Sequence, residues 1–373
     1  MAVKDFLQSS QEQSKPWVKT PLRESIFLKL ETLQPSGSFK SRGIGNYLLR
    51  RVEELPAHIT SPHIFCSSGG NAGLAAVHAS RTLGLPCTVV VPSTVKSLMV
   101  TKIKAAGAYE VLQYGDAWAD ADAYMRKELM PQAGEAAIYA PPFDHPDIWA
   151  GNSTVMHEIA TQMPDSPADI IICSVGGGGL LNGVALALDS LSLSSSTTVV
   201  GVETAGAESL AAAVRAGQLI TLPRITSQAT SLGCARVTQM TLDVAQRETF
   251  RGVVLPDAEA AMGCWRLADD ERIMVELACG VNVALCYDGR LEKALGRKVR
   301  PDEKVVIVLC GGSNVTVDML AEWRREYAYL EEPMVMKEER DKEVPEEMPE
   351  VVVEQKPVQT WEAEEVFQLQ AKI

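Results

Sequence analysis

The chain has 373 residues, of which 46% are hydrophobic and 22% charged, and a formal net charge of −13. That length is too great for one small core and suits two lobes or one large α/β unit. The acidic balance argues against nucleic acid, which needs a basic footprint, and no apolar run reaches the roughly 18 residues of a membrane span.

Residues 1–16 are polar and carry Lys4, Asp5, Glu12 and Lys15 without the apolar stretch of a secretory signal, so the expected compartment is the cytoplasm. Eight cysteines (Cys66, Cys87, Cys173, Cys234, Cys264, Cys279, Cys286 and Cys310) stand singly, most inside apolar runs, and read as buried free thiols of a reducing compartment. The five histidines show no zinc-binding spacing, which disfavours a metalloenzyme.

After Trp17, Thr20, Pro21 and Leu22, a strand is expected over 26–31, followed by Gln34-Pro35-Ser36-Gly37-Ser38-Phe39-Lys40-Ser41-Arg42-Gly43. Pro35 and Gly37 force a turn, and Ser38 is the expected N-cap of a helix running past Leu49. In that first turn Lys40 would feel the positive end of the helix dipole, which disfavours its ammonium form. A neutral amine can attack a carbonyl, the requirement for a Schiff-base lysine; by itself Lys40 reads more readily as an ordinary surface lysine.

Strands and helices then alternate: strand 63–66, helix 72–83, strand 87–91, helix 97–106, strand 109–112, helix 116–130 and strand 136–140. A second series adds helix 146–162, strand 169–175, helix 180–190, strand 197–203 and helix 207–215. Such alternation means βαβ units and parallel sheets, and the apolar runs at 170–173 and 305–309 suit strands covered on both faces. The segment 221–237 breaks the rhythm, and helices are expected near 238–247, 257–269 and 276–288. From 331 to 373 there are 13 acidic and 5 basic residues and four prolines, a net charge of −8. This is the composition of a disordered tail, within which 360–370 would form at most a transient amphipathic helix.

Several junctions suit anions. Gly176, Gly177, Gly178 and Gly179 follow a buried strand and precede a helix at Leu180, letting backbone N–H groups converge on a compact phosphate; a plain strand-to-helix turn explains the glycines equally well. Ser67-Ser68-Gly69-Gly70-Asn71 repeats the design at an earlier junction and suits a carboxylate, although N-capping alone would account for Ser68 or Asn71. Cys310 ends the last apolar strand before Gly311-Gly312 and on its own terms is core filling.

Taken together, Pro-Ser-Gly-Ser-Phe-Lys-Ser-Arg-Gly, Cys66-Ser67-Ser68-Gly69-Gly70-Asn71-Ala72-Gly73, the run of four glycines and Cys310-Gly311-Gly312-Ser313-Asn314 resemble the fold-type II pyridoxal-phosphate enzymes. They are most similar to the L-serine/L-threonine dehydratase branch, over roughly 17–330. The resemblance implies an α/β fold of the tryptophan synthase β kind: two lobes of open, twisted, mostly parallel sheets with helices on both faces. A small lobe of about 40–145 would be inserted in a large lobe formed by about 17–39 and 146–330.

It further implies that Lys40 holds pyridoxal 5′-phosphate and acts as general base, with Phe39, Asn71, 176–179, Leu180 and Cys310 around the cofactor. Ser67, Ser68, Gly69, Gly70 and Asn71 would grip the substrate carboxylate. Some relatives carry alanine at the position of Gly69, which implies looser packing beneath the ring here. Glu203, Ala207, Ser209, Leu232 and Cys234 match positions around a monovalent cation such as potassium. A homodimer acting on a small amino acid, without nucleic acid or membrane, is the implied assembly. Where Arg23-Glu24-Ser25 runs straight into the first strand, the family has a longer segment. The implied activity is β-elimination of L-serine, with L-threonine as second substrate. A racemising or β-replacement relative of the same fold and a catalytically impaired cofactor-binding protein are the alternatives.

Overall fold

A computed structural model describes residues 22–23, 26–165 and 167–331. The expectations for residues 1–16, for Trp17, Thr20 and Pro21, for the shortened segment at Glu24 and Ser25, and for the tail beyond Glu331 fall outside these residues.

Strand β1 (Leu22–Arg23) pairs antiparallel with β2 (Phe27–Leu30), and a tight turn at Glu31–Leu33 then leads to α1 (Lys40–Glu53). The chain next lays down β3 (His63–Cys66), α2 (Asn71–Thr82), β4 (Cys87–Val91), α3 (Ser97–Ala105), β5 (Glu110–Gln113), α4 (Trp118–Tyr124) and β6 (Ala137–Tyr139). Helix α4 runs on through a π turn at Met125–Leu129 into Met130–Ala133. The long α5 (Pro146–Gln162) leads back to β7 (Ile170–Ser174), α6 (Gly179–Ser190), β8 (Thr198–Thr204) and α7 (Ser209–Ala216). After an irregular stretch come α8 (Gln239–Ala245), β9 (Phe250–Leu255), α9 (Asp257–Glu271), α10 (Leu277–Ala284), α11 (Arg290–Leu295), β10 (Val305–Leu309) and α12 (Val317–Tyr327).

The strands form two sheets, of order β1-β2-β10-β7-β8-β9 and β5-β4-β3-β6, in which every pairing but β1–β2 is parallel. Parallel strands need helices on both faces, so their sequences lose the polar alternation of an exposed strand. Accordingly, β7 (IIICS), β10 (VVIVL) and β4 (CTVVV) are buried along their whole length. Each sheet has its own core. One gathers Ile171, Val200, Ile307, Leu181 and Val281; the other gathers Ile44, Leu48, Ile64, Ala75 and Val89. Helix α5 belongs to both, with Ile148 in the smaller core and Val155, Met156 and Ile159 in the larger. Among the described residues no helix is long and apolar enough to cross a membrane.

The expected alternation is present with ends shifted by a residue or two, and the open α/β class with parallel sheets holds. Four elements were not foreseen: β1, β9, α11 and α12. Strand β9 is an edge strand interrupted by Arg251 and Gly252 and only partly buried, so its sequence lacks the apolar run of its neighbours. Ser38 is not the cap of α1. The helix starts one residue later, with Phe39 in helical backbone at φ −52°, ψ −21° and no side-chain cap, while the Ser38 hydroxyl is buried without a partner. The turn is closed instead by Ser41, whose hydroxyl accepts from Ser36 N at 3.1 Å and lies 2.8 Å from the Ser36 hydroxyl.

Candidate active site

Lys40 is the first residue of α1 and stands where the two sheets meet. The turn before it is fastened to the end of β10: Phe39 N donates to Cys310 O at 3.1 Å, Gly312 N donates to Gly37 O at 2.9 Å, and Ser38 bridges to Gly311. The turn after it is fixed by charge. Arg42, fully buried, gives Nε and one terminal nitrogen to Glu31 at 2.6 and 2.8 Å, and both terminal nitrogens to Glu158 at 2.7 and 2.8 Å. Lys29, also fully buried, adds a 2.6 Å pair to Glu158. Two cations thus face two carboxylates inside the protein. The Arg42 guanidinium, held by Glu31 and Glu158 against its desolvation, stays charged.

Lys40 Nζ donates to Pro142 O at 2.5 Å, and its ammonium is pushed down to about 8. The cause is burial, with Cys234, Cys66 and Cys310 close by, and so differs from the helix dipole the sequence suggested. A buried amine near 8 is a far better nucleophile at neutral pH than a free lysine near 10.4.

The glycine run crosses from β7 into α6. Gly178 has φ +97°, and an added Cβ would strike the Thr241 side chain; at Gly177 it would strike the Phe143 ring, and at Gly179 it would lie 2.9 Å from Phe143 O. Among the described residues the amide N–H groups of Gly176, Gly177, Gly178, Gly179 and Leu180 have no acceptor within the protein. Backbone donors, side-chain-free approach and a helix N-terminus together make a cradle for a phosphate.

Asn71 opens α2 and reaches across to the other sheet. Its Nδ2 donates to Glu276 Oε1 at 2.8 Å, and its Oδ1 accepts from Ser313 N at 3.0 Å. Glu276 is fully enclosed, accepts also from Asn314 N at 3.0 Å, and its carboxyl is raised by burial. Sequence reasoning missed Glu276, although one acid inside Val275-Glu276-Leu277-Ala278-Cys279 was a visible anomaly. It missed Arg42 and Phe143 as well. Lys102 Nζ donates to Ser313 O, a second tie between the sheets. Beside this junction a cavity of about 200 Å³ is lined by Ser231, Glu276, Asn314, Lys96 and Trp323, but not by Lys40.

Cys310 is buried, its Sγ 3.3 Å from the Ser174 hydroxyl and directed to Ala278 O at 3.7 Å. In the Ser67–Asn71 loop, Ser68 Oγ accepts from Gly70 N at 3.3 Å. Ser67 is buried and gives its proton to Asp122 Oδ1 at 2.6 Å. Gly69 does not loosen the packing: a Cβ there would lie 2.7 Å from Val95 and 3.2 Å from Val91, which occupy the space.

The residues matched to a cation site are distributed as follows. Glu203 is the penultimate residue of β8, and its oxygens accept from Leu210 N and Ala211 N at 2.7 and 2.8 Å at the start of α7, yet burial still raises its carboxyl to about 8. Ala207 is buried at the same turn, and Ser209 there has a buried hydroxyl without a partner. Leu232 passes against Gly176, and the Cys234 thiol lies near Lys40.

The site therefore combines an aldehyde-reactive lysine, a phosphate cradle and a buried thiol at the end of β10, the donor set that suits pyridoxal phosphate. The family model for pyridoxal-phosphate-dependent enzymes matches residues 14–311. An L-serine dehydratase of Saccharomyces cerevisiae is 42% identical over 323 residues, spanning 81% of this chain and 95% of that protein. The human L-serine dehydratase/L-threonine deaminase is 38% identical over 315 residues, spanning 81% and 93%. A crystal structure of a fungal L-serine ammonia-lyase from Rhizomucor miehei superposes with a TM-score of 0.76 at 34% identity, covering 83% of this chain and 99% of that one. The chain belongs to the pyridoxal-phosphate-dependent enzyme family.

Proposed function

We propose that the protein is an L-serine ammonia-lyase, converting L-serine to pyruvate and ammonia, with L-threonine giving 2-oxobutanoate as its second reaction. The observation that carries this reading is the placing of a buried, easily deprotonated Lys40 together with a thiol, where a carboxylate could stand, at Cys310. The named relatives, dehydratases and an ammonia-lyase, support the same class.

In this reading Lys40 Nζ would hold pyridoxal phosphate and the amides of 176–180 its phosphate, with Phe39, Asn71 and Cys310 lining the place of its ring. When bound, the cofactor supplies an electron sink for the pair left as the Cα–H bond breaks. The protein supplies geometry and proton transfer. With substrate bound, the Lys40 amine would take the α-proton as general base. The β-hydroxyl departs, so serine has lost one water and leaves as 2-aminoacrylate. In solution this takes the water back and gives pyruvate and ammonia.

Ser68 and the amides of Gly69, Gly70 and Asn71 hold the carboxylate at the start of α2, where the helix dipole favours an anion. Glu276 and Ser313 N fix the Asn71 amide, whose Nδ2 also donates to the Ser231 hydroxyl at 3.3 Å. At the β8–α7 turn, Glu203 and Ser209, with backbone from Ala207, Leu232 and Cys234, form the proposed seat of a monovalent cation. A desolvated carboxylate and an unpartnered hydroxyl suit such an ion.

The test is an absorbance spectrum of the purified protein with and without L-serine, coupled to a pyruvate assay and chiral analysis of recovered serine. A visible band, pyruvate and recovered serine that is all L are expected. D-serine accumulating faster than pyruvate would assign the site to a racemase, and a persistent band without product would leave a binding protein.

A further inference from the structure

Behind the Ser67–Asn71 loop three side chains converge on the Asp122 carboxylate. Asp122 Oδ1 accepts from the Ser67 hydroxyl at 2.6 Å and from the Tyr139 hydroxyl at 3.1 Å, while Arg126 Nε lies 2.9 Å from Asp122 Oδ2. The Arg126 guanidinium also stacks on the Tyr139 ring at 3.7 Å. The backbone is adapted to this meeting. Helix α4 changes to a π turn at Met125–Leu129, which begins three residues after Asp122 and includes Arg126, and such turns are frequent at functional sites. Ser67 continues the central strand β3 and Tyr139 ends the edge strand β6, so the cluster ties two neighbouring strands of the small sheet to α4.

We infer that Asp122 is a positioning residue for substrate: it holds the Ser67 hydroxyl and with it the start of the carboxylate-binding loop. This rests on the proposed reaction. A serine hydroxyl has one proton, and here that proton is committed to Asp122. Toward a substrate carboxylate, Ser67 can then present only lone pairs, which repel an anion. Ser67 is therefore an anchor, and the grip falls to Ser68 and to the loop amides that follow it. What Asp122 must supply is an acceptor, not a charge, because the Arg126 partner is half exposed and an exposed ion pair contributes little. Losing the acceptor frees the loop at its first residue and leaves the Ser67 and Tyr139 donors competing for water.

The holoenzyme variants Asp122→Ala, Asp122→Asn, Ser67→Ala and the double Ser67→Ala/Asp122→Ala test this. Asp122→Ala should raise KM for L-serine about tenfold, the equivalent of one charge-assisted hydrogen bond, with kcat within about twofold and the cofactor band unchanged. Asp122→Asn, which keeps the acceptor oxygen, should restore KM to within about threefold of wild type. Ser67→Ala should match Asp122→Ala, and the double variant should be no worse than either, because the two residues act as one unit. Amide hydrogen exchange over 66–73, read without any substrate, should quicken about tenfold in Asp122→Ala and stay unchanged over β7. Multiplying KM effects in the double variant, an unchanged KM in Ser67→Ala, or unaltered exchange in the loop would overturn the inference. Absence of pyruvate from wild type would instead sink the proposed reaction and leave the exchange result standing.

Discussion

Lys40 and Cys310 are the residues on which the chemistry turns, and each makes a different demand. Lys40 must be deprotonated to react with an aldehyde. Burial depresses its pKa, so the amine is a minority species below pH 8 and the dominant one above it. Uptake of pyridoxal phosphate by cofactor-free protein, followed by absorbance, should therefore accelerate about tenfold per pH unit below 8 and level off above about 9. A rate still climbing at pH 10 would show an ordinary solvated lysine.

In the proposed reaction Cys310 sets the fate of the bound substrate, since its thiol stands where a carboxylate would pair with the ring nitrogen. Cys310→Asp would place a carboxylate there, favour the protonated ring and strengthen the electron sink. Slower pyruvate formation with more deuterium in L-serine recovered from heavy water is expected, whereas Cys310→Ser, neutral and similar in size, should retain much of the activity. Equal ratios of exchange to pyruvate in wild type and the Asp variant would make Cys310 ordinary core.

At the scale of elements, α1 is held in place by buried charge as much as by apolar packing. Replacing Arg42 with Met would take the guanidinium away from Glu31 and Glu158 and leave Lys29 paired with Glu158, and breaking a buried pair this way costs about 3–5 kcal/mol. Urea unfolding of Arg42→Met should show that loss; a change below about 1 kcal/mol would mean the network does not secure the helix.

The alternation of elements was legible because covered parallel strands must be continuous apolar runs, and because Gly178 and the glycines beside it have few other uses at a strand-to-helix junction. Strand β9 was not legible, since an edge strand carrying Arg251 and Gly252 obeys neither pattern. Lys40, the glycine cradle and Asn71 were readable as motifs. Their supports were not: Arg42 pairs with Glu158 from α5, Asn71 with Glu276 before α10, and Ser67 with Asp122 in α4. Such partners are brought together only by the fold. The same limit applies to Ser38, which had the right side chain for a cap but lies one residue too early, in a turn that Ser36 and Ser41 close by themselves.

Across the whole molecule, the two sheets meet at few polar points: the Lys40 turn against β10, Asn71 against Glu276 and Ser313, and Lys102 against Ser313. They gather at the start of α2 and just past the end of β10, where the turn before Lys40 is fastened. A ligand held there touches both sheets at once, so binding and reaction depend on the two cores keeping their relative position. The central claim is that Lys40, in that junction, both anchors the cofactor and moves the α-proton of L-serine. The most direct measurement follows pyruvate from L-serine for wild type and Lys40→Ala side by side, each saturated with pyridoxal phosphate. The account predicts turnover by wild type and a fall to background in the variant, with loss of its visible cofactor band. A Lys40→Ala protein that keeps both the band and pyruvate formation would contradict it.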